Sequence, residues 1–406
     1  MHYEESKRAK AGQMGQCRNW KHYATDTLLH GKPPLRTVRV NVHFMNNREG
    51  TLTFNEKDGR AYAHELIQQA NRLWSNNAPM NLPLGNHTPV LPTRIRLELT
   101  PDPSKPGDDG IYFHYDDSLS YYNFYEQSKI FYSGKQFERY GVSKGKVLNI
   151  FLMEHFPDSM RSSTYRKRNN GVGFPDWVMV IGSYMESKRF YVDDNGDSIY
   201  FGSWFMARLL NHELGHAFGL HHTWRGFDGC DDTPRNPNCW NYTHNGGPCD
   251  SLVSNNMMDY NTYQNALTPC QIGRMHANFA LAGSKQRAKL RPDYCHYDSS
   301  AGRLLFSKDS IVIEGQHDLR GDLRIGRNTT VVLRCELRMA AGSQIVLEPG
   351  AVLILDNCKI YNACEEKWKG IATMKSRNNE GRVILRGESR ILNAEKPGKP
   401  ATNAAP

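Results

Sequence analysis

The distribution of apolar residues predicts a mixed α/β region followed by an all-β region. In the segment 37–45 (TVRVNVHFM), four apolar residues alternate with polar neighbours, which is the period of a half-buried strand. The segment 59–77 (GRAYAHELIQQANRLWSNN) repeats apolar residues at helical spacing. Further strands are predicted at 93–100 (TRIRLELT), 110–115 (GIYFHY), 146–153 (KVLNIFLM) and 177–185 (WVMVIGSYM). We expect these elements to form a mixed sheet backed by helices.

The segment 203–220 (SWFMARLLNHELGHAFGL) predicts a further helix. At spacings of four, three and four, one face of this helix carries two apolar residues and two histidines: Phe205, Leu209, His212 and His216. We expect Gly219 to end the helix, because glycine readily takes the left-handed conformation. The chain then stays irregular to about residue 265, and the segment 269–290 (PCQIGRMHANFALAGSKQRAKL) predicts a closing helix.

From about residue 300 the sequence changes to short apolar segments separated by Gly, Asn and Asp. The segments 350–363 (GAVLILDNCKIYNA) and 381–394 (GRVILRGESRILNA) align without a gap, at an offset of 31 residues. The preceding segments 328–339 and 342–350 have the same rhythm. Strands with turns at nearly constant intervals predict a parallel β-solenoid, and a small β-sandwich is the alternative.

These patterns predict an α+β chain of three parts. Residues 1–34 form an N-terminal extension or the remnant of a propeptide, residues 35–292 a mixed domain, and residues 293–406 a solenoid-like repeat domain. A length of 406 residues agrees with several domains, since it exceeds what one hydrophobic core usually supports. Because the sequence stops soon after a repeat, we expect the solenoid either to be truncated here or to continue in the natural protein.

Composition adds constraints on the class of protein. Hydrophobic residues make up 39% and charged residues 23%, as in an ordinary soluble folded protein. The net charge of +9 is spread along the chain without a basic stripe, so nucleic-acid binding is not predicted. No apolar run reaches the length of a membrane span, about 18 residues, and the first residues lack the apolar region of a signal peptide. Either the protein is cytosolic, or the sequence begins after a leader has been removed.

The nine cysteines favour an oxidising, extracytoplasmic setting. Four of them lie within 41 residues, in a Gly/Asn/Pro-rich stretch with little material for a core: Cys230, Cys239, Cys249 and Cys270. None forms a CxxC pair, so disulfides are favoured there over structural zinc. Five cysteines have no predicted place in the fold at this point: Cys17, Cys295, Cys335, Cys358 and Cys364.

The segment 212–222 (HELGHAFGLHH) carries the candidate chemistry. His212 and His216 are four residues apart on a helix, so both imidazoles can bind one ion, and Glu213 can reach a water on that ion. Catalytic zinc needs a third protein ligand and one open position. Position 220 is Leu, so the third ligand must follow the break at Gly219, where two further histidines stand, His221 and His222.

The full string fits HExxHxxGxxH, the metzincin signature, which places the third ligand at His222 and leaves His221 as an outer or surface group. The segments 212–224 (HELGHAFGLHHTW), 230–234 (CDDTP), 256–260 (NMMDY) and 267–275 (LTPCQIGRM) resemble, in this order, the marks of the pappalysin-type (cytophagalysin) metzincins. The resemblance covers roughly residues 35–285. It implies a metzincin catalytic domain with a zinc-site helix, and a secreted or cell-surface endopeptidase, of bacterial origin, that hydrolyses peptides or proteins.

The resemblance also implies roles for individual residues. The family's methionine turn, Asn-x-Met-x-Tyr, selects Met258 over Met257, and Tyr260 matches a tyrosine that can donate to the developing oxyanion. Zinc lowers the pKa of its bound water and polarises the scissile carbonyl, while Glu213 takes the proton and passes it to the leaving amine. Substrate is expected to lie extended along an edge strand, for which 177–185 is the candidate.

Several implied features concern the loop after the zinc helix. The family's interlaced disulfides would pair Cys230 with Cys249 and Cys239 with Cys270. Some members bind calcium here, for which the candidate ligands are Asp231, Asp232 and Asp250. Members that cleave at arginine carry an acidic residue near the last cysteine, where this chain has NALTPC (265–270), so arginine preference is not carried over.

The N-terminal Cys17 has two candidate roles. In several metzincins a propeptide cysteine occupies the open zinc position and keeps the zymogen inactive. The alternative, which we favour, is a disulfide, for example with Cys295.

Two hypotheses compete with the secreted zinc peptidase. The first is a surface adhesion or binding protein whose solenoid carries the function, in contact with the cell surface, and whose protease domain is vestigial, but the intact Glu213 argues against it. The second is a cytosolic metal-binding protein with reduced thiols.

Overall fold

The computed structural model describes residues 17–24, 34–122, 133–164, 170–200, 202–224, 228–233, 253–260 and 263–398. The chain divides into two compact units. The mixed unit comprises Leu35–Phe279 and Gly283–Arg291. The all-β unit comprises the described residues before Leu35 together with Ala280–Ala282 and the chain from Pro292 onward.

The mixed unit is built on one seven-stranded sheet. Its strands are β1 (Arg36–Asn46), β2 (Ile95–Leu99), β3 (Ile111–Tyr115), β4 (Tyr121–Tyr122), β5 (Leu148–His155), β6 (Asn170–Phe174) and β7 (Trp177–Ile181). The order is β2-β1-β5-β7-β6, with β3 paired to the second half of β1 and β4 paired to the end of β5. All pairings are parallel except that of β6 with β7. A separate antiparallel pair follows, β8 (Phe190–Val192) and β9 (Ser198–Tyr200).

The first strand is buried on both faces, so the prediction of a half-buried strand was wrong. Asn41 and His43, which alternate with the apolar residues, are fully buried. His43 Nε2 lies 3.0 Å from both Asn41 Oδ1 and Asn149 Oδ1, and His43 Nδ1 lies 2.9 Å from His114 Nε2. Amide oxygens only accept, so Nε2 of His43 donates. The polar face of β1 can therefore be buried because its side chains bind one another.

The segment 177–185 is not an edge strand, contrary to the prediction. Its first part forms β7, which is buried throughout and lies between β5 and β6. The chain then turns at Gly182, with φ of 97°, into a short helix. The terminal strand on this side is β6, whose sequence NGVGF has too few apolar residues to predict a strand. Pairing with β7 determines the conformation of β6.

Helices accompany the sheet along the mixed unit. They are α1 (Glu56–Ser75), α2 (Lys135–Tyr140), α3 (Pro157–Arg161), α4 (Ser183–Ser187), α5 (Trp204–Ala217), α6 (Pro269–Ala280) and α7 (Lys285–Ala288). The side chain of Asn55 accepts a hydrogen bond from Asp58 N and caps α1. The single closing helix predicted for 269–290 is two helices, because Gly283 has φ of 76° and Ser284 caps α7. Among the described residues we find no helix with the length and apolar character needed to cross a bilayer.

His276 on α6 is a buried histidine whose protonation opposes folding. Its Nε2 donates to the carbonyl of Thr93 at 2.7 Å, and burial lowers its pKa to about 4. In an unfolded chain the pKa of histidine is about 6.5. The folded state therefore binds this proton less tightly than the unfolded state. The resulting stabilisation is complete above about pH 6.5 and is lost as the pH falls towards 4.

We expect His276→Gln to reduce this acid sensitivity, because an amide can still donate to Thr93 but does not titrate. The decrease in the free energy of unfolding between about pH 7 and about pH 4.5 should be roughly 2 to 3 kcal/mol smaller in the variant. Urea unfolding of both proteins at the two pH values measures the difference, in which the contributions of the other histidines cancel. Equal decreases in the two proteins would contradict the assignment.

The all-β unit contains two sheets whose pairings are all parallel. Their strands are β10 (Arg303–Leu305), β11 (Ile311–Ile313), β12 (Gln316–Leu319), β13 (Leu323–Ile325), β14 (Thr330–Met339), β15 (Gln344–Leu347), β16 (Val352–Tyr361), β17 (Trp368–Thr373), β20 (Arg382–Arg386), β21 (Arg390–Ile391) and β22 (Ala394–Lys396). An antiparallel pair, β18 (Lys375–Ser376) with β19 (Asn379–Glu380), lies outside these two sheets. One sheet has the order β10-β13-β15-β17-β22, and the other has the order β11-β14-β16-β20, with β12 beside β14 and β21 beside β16. Three 3₁₀ turns belong to the same unit: Trp20–His22, Asp293–Cys295 and Ser299–Ala301.

The strand register corrects the ungapped alignment of the two repeats. Leu353 pairs with Val383, an offset of 30 residues, whereas Ile360 pairs with Ile391, an offset of 31. The alignment matched Val352 with Val383, but Val352 is half-buried while Leu353 and Val383 are both fully buried. A shift of one residue exchanges the two faces of a strand. The later repeat therefore contains one extra residue between its two paired parts.

The N-terminal residues 17–24 belong to the all-β unit. Cys17 forms a disulfide with Cys335, and Cys295 forms one with Cys364, so the predicted pairing of Cys17 with Cys295 is wrong. Buried Tyr23 donates from its hydroxyl to the Cys17 carbonyl at 2.5 Å and accepts from Gln316 N at 2.9 Å. The thiol of Cys17 is consumed in the disulfide and cannot occupy a metal position. Cys358 is buried and is the free cysteine of the described residues.

Candidate metal centre and active site

Three histidine side chains converge at the end of α5. His212 and His216 lie on one face of the helix, and His222 returns from beyond the helix end. The Nε2 atom of His222 lies 3.2 Å from Nε2 of His212 and 3.0 Å from Nε2 of His216. These are the histidines that the sequence predicted as ligands, and the three nitrogens face one point. His221 is exposed and is not part of this group.

The opposite nitrogens of the two helical histidines define the orientation of their rings. His212 Nδ1 lies 2.7 Å from the Met257 carbonyl oxygen, and His216 Nδ1 lies 2.9 Å from the Leu220 carbonyl oxygen. A carbonyl oxygen only accepts, so each Nδ1 carries the proton and each Nε2 presents a lone pair. Burial lowers the pKa of His212 to about 3 and also lowers the pKa of His216. Both rings are therefore neutral at pH 7, which is the form that binds metal.

The donor set fits zinc. Two nitrogen ligands of tetrahedral zinc, each about 2.0 to 2.1 Å from the metal, lie about 3.3 to 3.4 Å apart. The observed separations of 3.0 and 3.2 Å are close to this value. Unprotonated nitrogens that face one another repel, and a shared cation removes the repulsion. Three nitrogen ligands leave the fourth position of a tetrahedral site open.

Gly219 allows the chain to turn back and bring in His222. The helix ends at Ala217, and Gly219 has φ of 101°, in the left-handed region. Gly219 N donates to the His216 carbonyl and Leu220 N donates to the Gly215 carbonyl, both at 2.9 Å, which is a Schellman motif. A Cβ at position 219 would also lie 2.2 Å from the side-chain nitrogen of Asn278. The left-handed conformation at this position favours glycine, and a side chain there would also displace the amide of Asn278.

Glu213 lies beside the first histidine and is almost fully enclosed. The residue is 5% exposed, and burial raises the pKa of its carboxyl group to about 8. A positive charge in the histidine cluster would favour the carboxylate and oppose this effect. A carboxyl group in such surroundings is suited to accept and release a proton near neutral pH.

The turn at 256–260 lies beneath the histidines. Met258 is fully buried, and a Cβ on Gly215 of α5 would lie 2.5 Å from its sulfur, so the thioether packs directly against the helix. Tyr260 is 47% exposed, and its ring centroid lies 5.8 Å from that of His212 and 5.1 Å from that of His222. The structure therefore brings both predicted residues to the histidine cluster.

Several residues of the site escaped sequence reasoning. The Met257 carbonyl orients His212, and Gln264 Nε2 lies 3.1 Å from the same His212 nitrogen and donates to the Asp259 carbonyl. The ring of Trp224 stacks on His222 with centroids 4.2 Å apart. A contact made by a backbone carbonyl cannot be predicted from the type of side chain. Trp224 could have been predicted, since it lies two residues after His222 in the segment 212–224.

The disulfide in the loop after α5 differs from the predicted pairing. Cys230 is bonded to Cys270, so the pairing of Cys230 with Cys249 and of Cys239 with Cys270 is wrong. Cys239 and Cys249 lie outside the described residues. Asp250 also lies outside them, and Asp232 accepts a hydrogen bond from Cys270 N at 2.9 Å. Asp231 and Asp232 do not form a carboxylate cluster with a third ligand in the part of the chain that the structure describes, so the calcium prediction has no support.

The residues of the candidate site lie in a segment of the chain that matches a known protein family. Residues 132–280 match the sequence profile of peptidase family M43, described as pregnancy-associated plasma protein-A. Among solved structures, mature mirolysin of Tannerella forsythia, in complex with a cleaved peptide, is 20% identical with a TM-score of 0.40, covering 62% of this chain and 94% of that chain. A promirolysin mutant of Tannerella forsythia is 17% identical with a TM-score of 0.41, covering 70% and 94%. No curated protein sequence matches the chain.

Proposed function

We propose that the chain is a metzincin-like metallopeptidase of the α+β class, a zinc-dependent endopeptidase that acts on peptides or proteins, because residues 132–280 match peptidase family M43. The observation that carries the proposal is the convergence of three histidines beside a buried glutamate: Nε2 of His222 lies 3.2 and 3.0 Å from Nε2 of His212 and His216. His212, His216 and His222 would hold the zinc. Zinc bound there supplies Lewis acidity to a water molecule and to a peptide carbonyl.

Glu213 performs the proton transfers in this proposal. Its carboxylate accepts a proton from the attacking water and then donates it to the nitrogen of the leaving amine. Enclosure by protein keeps bulk water away from the carboxylate, so the proton passes to the substrate nitrogen. The Met257 carbonyl accepts a hydrogen bond from Nδ1 of the neighbouring His212. This contact fixes the orientation of the His212 ring beside the base.

Tyr260 is proposed to stabilise negative charge on the substrate. Its exposed ring lies beside His222 and Trp224, with centroids 5.1 and 4.5 Å away. A phenolic hydroxyl at this place can donate to an oxygen of the substrate that becomes negatively charged. Met258 supports the ligand helix from below and takes no part in the chemistry.

The substrate is proposed to lie along β6. This strand is the terminal strand of the sheet and packs against α5. An extended peptide can pair through its backbone with the outer edge of such a strand. Gly171 and Gly173 of this strand lie against Glu213, so a peptide bound along β6 would be presented near the base and the histidine cluster.

The remaining parts of the chain are proposed to support this activity outside the cytoplasm. We infer that the all-β unit is a parallel β-solenoid, because neighbouring strands within each of its two long sheets pair in parallel. We propose domain boundaries near residues 34 and 292; the compact units divide between Pro34 and Leu35 and between Arg291 and Pro292, with Ala280–Ala282 in the all-β unit. The three disulfides of the described residues agree with a secreted or cell-surface protein.

Incubation of the purified protein with casein and with a peptide library tests the proposal. We expect internal cleavage that a zinc chelator abolishes. A protein that binds zinc but cleaves neither substrate, even after limited trypsin treatment, would contradict the proposal and favour a binding protein with a vestigial protease domain.

A further inference from the structure

Two glycines of β6 face the helix that carries the histidines. Gly171 and Gly173 alternate with Val172, which is buried on the other face together with Phe151 and Met179. A strand places alternate residues on one face, so both glycines lie on the side of α5. The face of β6 towards the helix therefore has no side chains at these two positions.

The space at Gly171 is filled by the side chain of Glu213. A Cβ on Gly171 would lie 2.5 Å from Glu213 Cγ, 2.5 Å from Oε1 and 2.7 Å from Cδ. These atoms extend from the stem of the side chain to one carboxylate oxygen, so rotating only the end of the side chain does not relieve the overlap. Any residue other than glycine at position 171 must displace the carboxylate.

The strand cannot withdraw to make room. A Cβ on Gly173 would lie 1.9 Å from the backbone oxygen of Glu213 and 3.0 Å from His216 Cβ, so strand and helix are already in backbone contact. On its other side β6 is paired with β7, with Gly171 opposite Val180 and Gly173 opposite Val178. Glu213 is only 5% exposed and has little free volume into which to move.

Backbone conformation does not require glycine at position 171. The glycines with φ in the left-handed region do not include Gly171 or Gly173. Alanine fits an extended backbone and is normally slightly more favourable there than glycine, by about 0.5 to 1 kcal/mol. The requirement at position 171 is therefore one of space.

We propose that Gly171 is a positioning residue for Glu213: the missing side chain leaves the space that holds the carboxylate in its productive orientation between β6 and α5. This inference rests on the proposed function, in which Glu213 transfers the proton. It assigns a second role to β6, which shapes the base in addition to providing an edge for the substrate. Position 171 requires glycine because of the space that the Glu213 side chain occupies, and not because of the backbone conformation of β6.

Gly171→Ala tests the proposal through kinetics and zinc content. We expect the variant to bind one equivalent of zinc and to retain KM within about threefold, while kcat falls by about tenfold or more, since the base is misplaced and the ligands are not. Met179→Ala on the neighbouring strand β7 is the matched control, since Met179 pairs with Val172 and packs with it on the face of the sheet opposite α5. It should lower the unfolding temperature and leave kcat unchanged. A Gly171→Ala variant with wild-type kcat would overturn the proposal.

A double-mutant cycle with Glu213→Ala separates positioning from a general structural effect. Glu213→Ala removes Cγ, Cδ and Oε1, the three atoms that a Cβ on Gly171 would overlap. If Gly171→Ala acts only by displacing the carboxylate, it should change the residual kcat of Glu213→Ala by less than about twofold. Multiplicative effects would overturn the proposal. If Gly171→Ala does not fold, recovery of folding in Gly171→Ala/Glu213→Ala supports it, and an unfolded double variant overturns it.

The outcome for Gly171 can be distinguished from failure of the proposed function. If the wild type cleaves peptides and Glu213→Ala does not, the function stands whatever Gly171→Ala shows. If Glu213→Ala retains wild-type kcat, the proposed role of Glu213 fails, and the positioning role of Gly171 fails with it.

Discussion

Glu213→Ala is expected to lower kcat for peptide hydrolysis by about a hundredfold to ten-thousandfold, the range that a general base contributes. The physical reason is the position of the carboxylate, which lies beside the first ligand on α5 and is shielded from bulk water. Zinc content should remain at one equivalent, because none of the three converging nitrogens belongs to Glu213. Initial rates on a fluorogenic peptide and metal analysis of the same sample provide the measurement.

Glu213→Gln is the control for this variant, since it keeps the volume of the side chain and removes its ability to take a proton. The two variants should be similarly inactive. An active Glu213→Gln protein would show that the residue contributes volume or hydrogen bonding instead of proton transfer. Hydrolysis at the wild-type rate by Glu213→Ala would contradict the mechanism.

The second large effect is expected at His222, and its neighbour provides the matched control. His222→Ala removes one of three nitrogen ligands, so zinc affinity should fall by more than about a hundredfold, the loss that even an outer partner of a ligand can cause. Activity at limiting zinc should disappear with it. His221→Ala should keep zinc affinity and activity within about twofold of the wild type, because His221 is exposed and lies outside the cluster.

Competition with a chromophoric zinc chelator measures both affinities, and casein cleavage measures both activities. The register of the chain after Gly219 decides which histidine faces the site. Loss of zinc in His221→Ala with retention in His222→Ala would mean that the turn has a different register. Equal loss in both variants would contradict the assignment of three ligands.

The histidine cluster could be predicted from sequence because its geometry is local. His212 and His216 share a helical face by their spacing alone, and a glycine three residues later predicts the turn that returns the chain. What orients these rings is not local. The Met257 carbonyl lies 45 residues away from His212 in sequence, and a backbone oxygen has no residue type by which a pattern could reveal it.

Edges and disulfides were predicted less well, for reasons that concern partners distant in sequence. Apolar residues identified 177–181 as a strand, but a buried strand flanked on both sides has the same pattern as one at the edge. The edge strand is β6, in which Gly171 and Gly173 lie against α5. Because these two positions are glycine, β6 lacks the alternation of apolar and polar residues by which a strand is predicted. Cys17 pairs with Cys335 across 318 residues, a separation at which spacing has no predictive value.

The strands of the all-β unit could be predicted from local patterns, whereas the burial of β1 could not. In the all-β unit the repeating inward residues, such as Leu353 and Val383, mark the strands directly. In β1 the polar residues Asn41 and His43 lie inside the protein, because they bind each other and His43 also binds Asn149 and His114 on neighbouring strands. Polarity predicts exposure only where no such partner arrives from elsewhere in the chain.

Titration of metal-free protein with zinc tests the central claim, that three histidines hold one zinc ion for peptide hydrolysis, most directly. Metal-free protein should be inactive. Peptidase activity should rise in proportion to added zinc and reach a plateau at one equivalent, with no rise in a parallel titration of His222→Ala over the same range. Peptide hydrolysis that persists in the metal-free protein, or a zinc-loaded protein that hydrolyses no peptide, would contradict it.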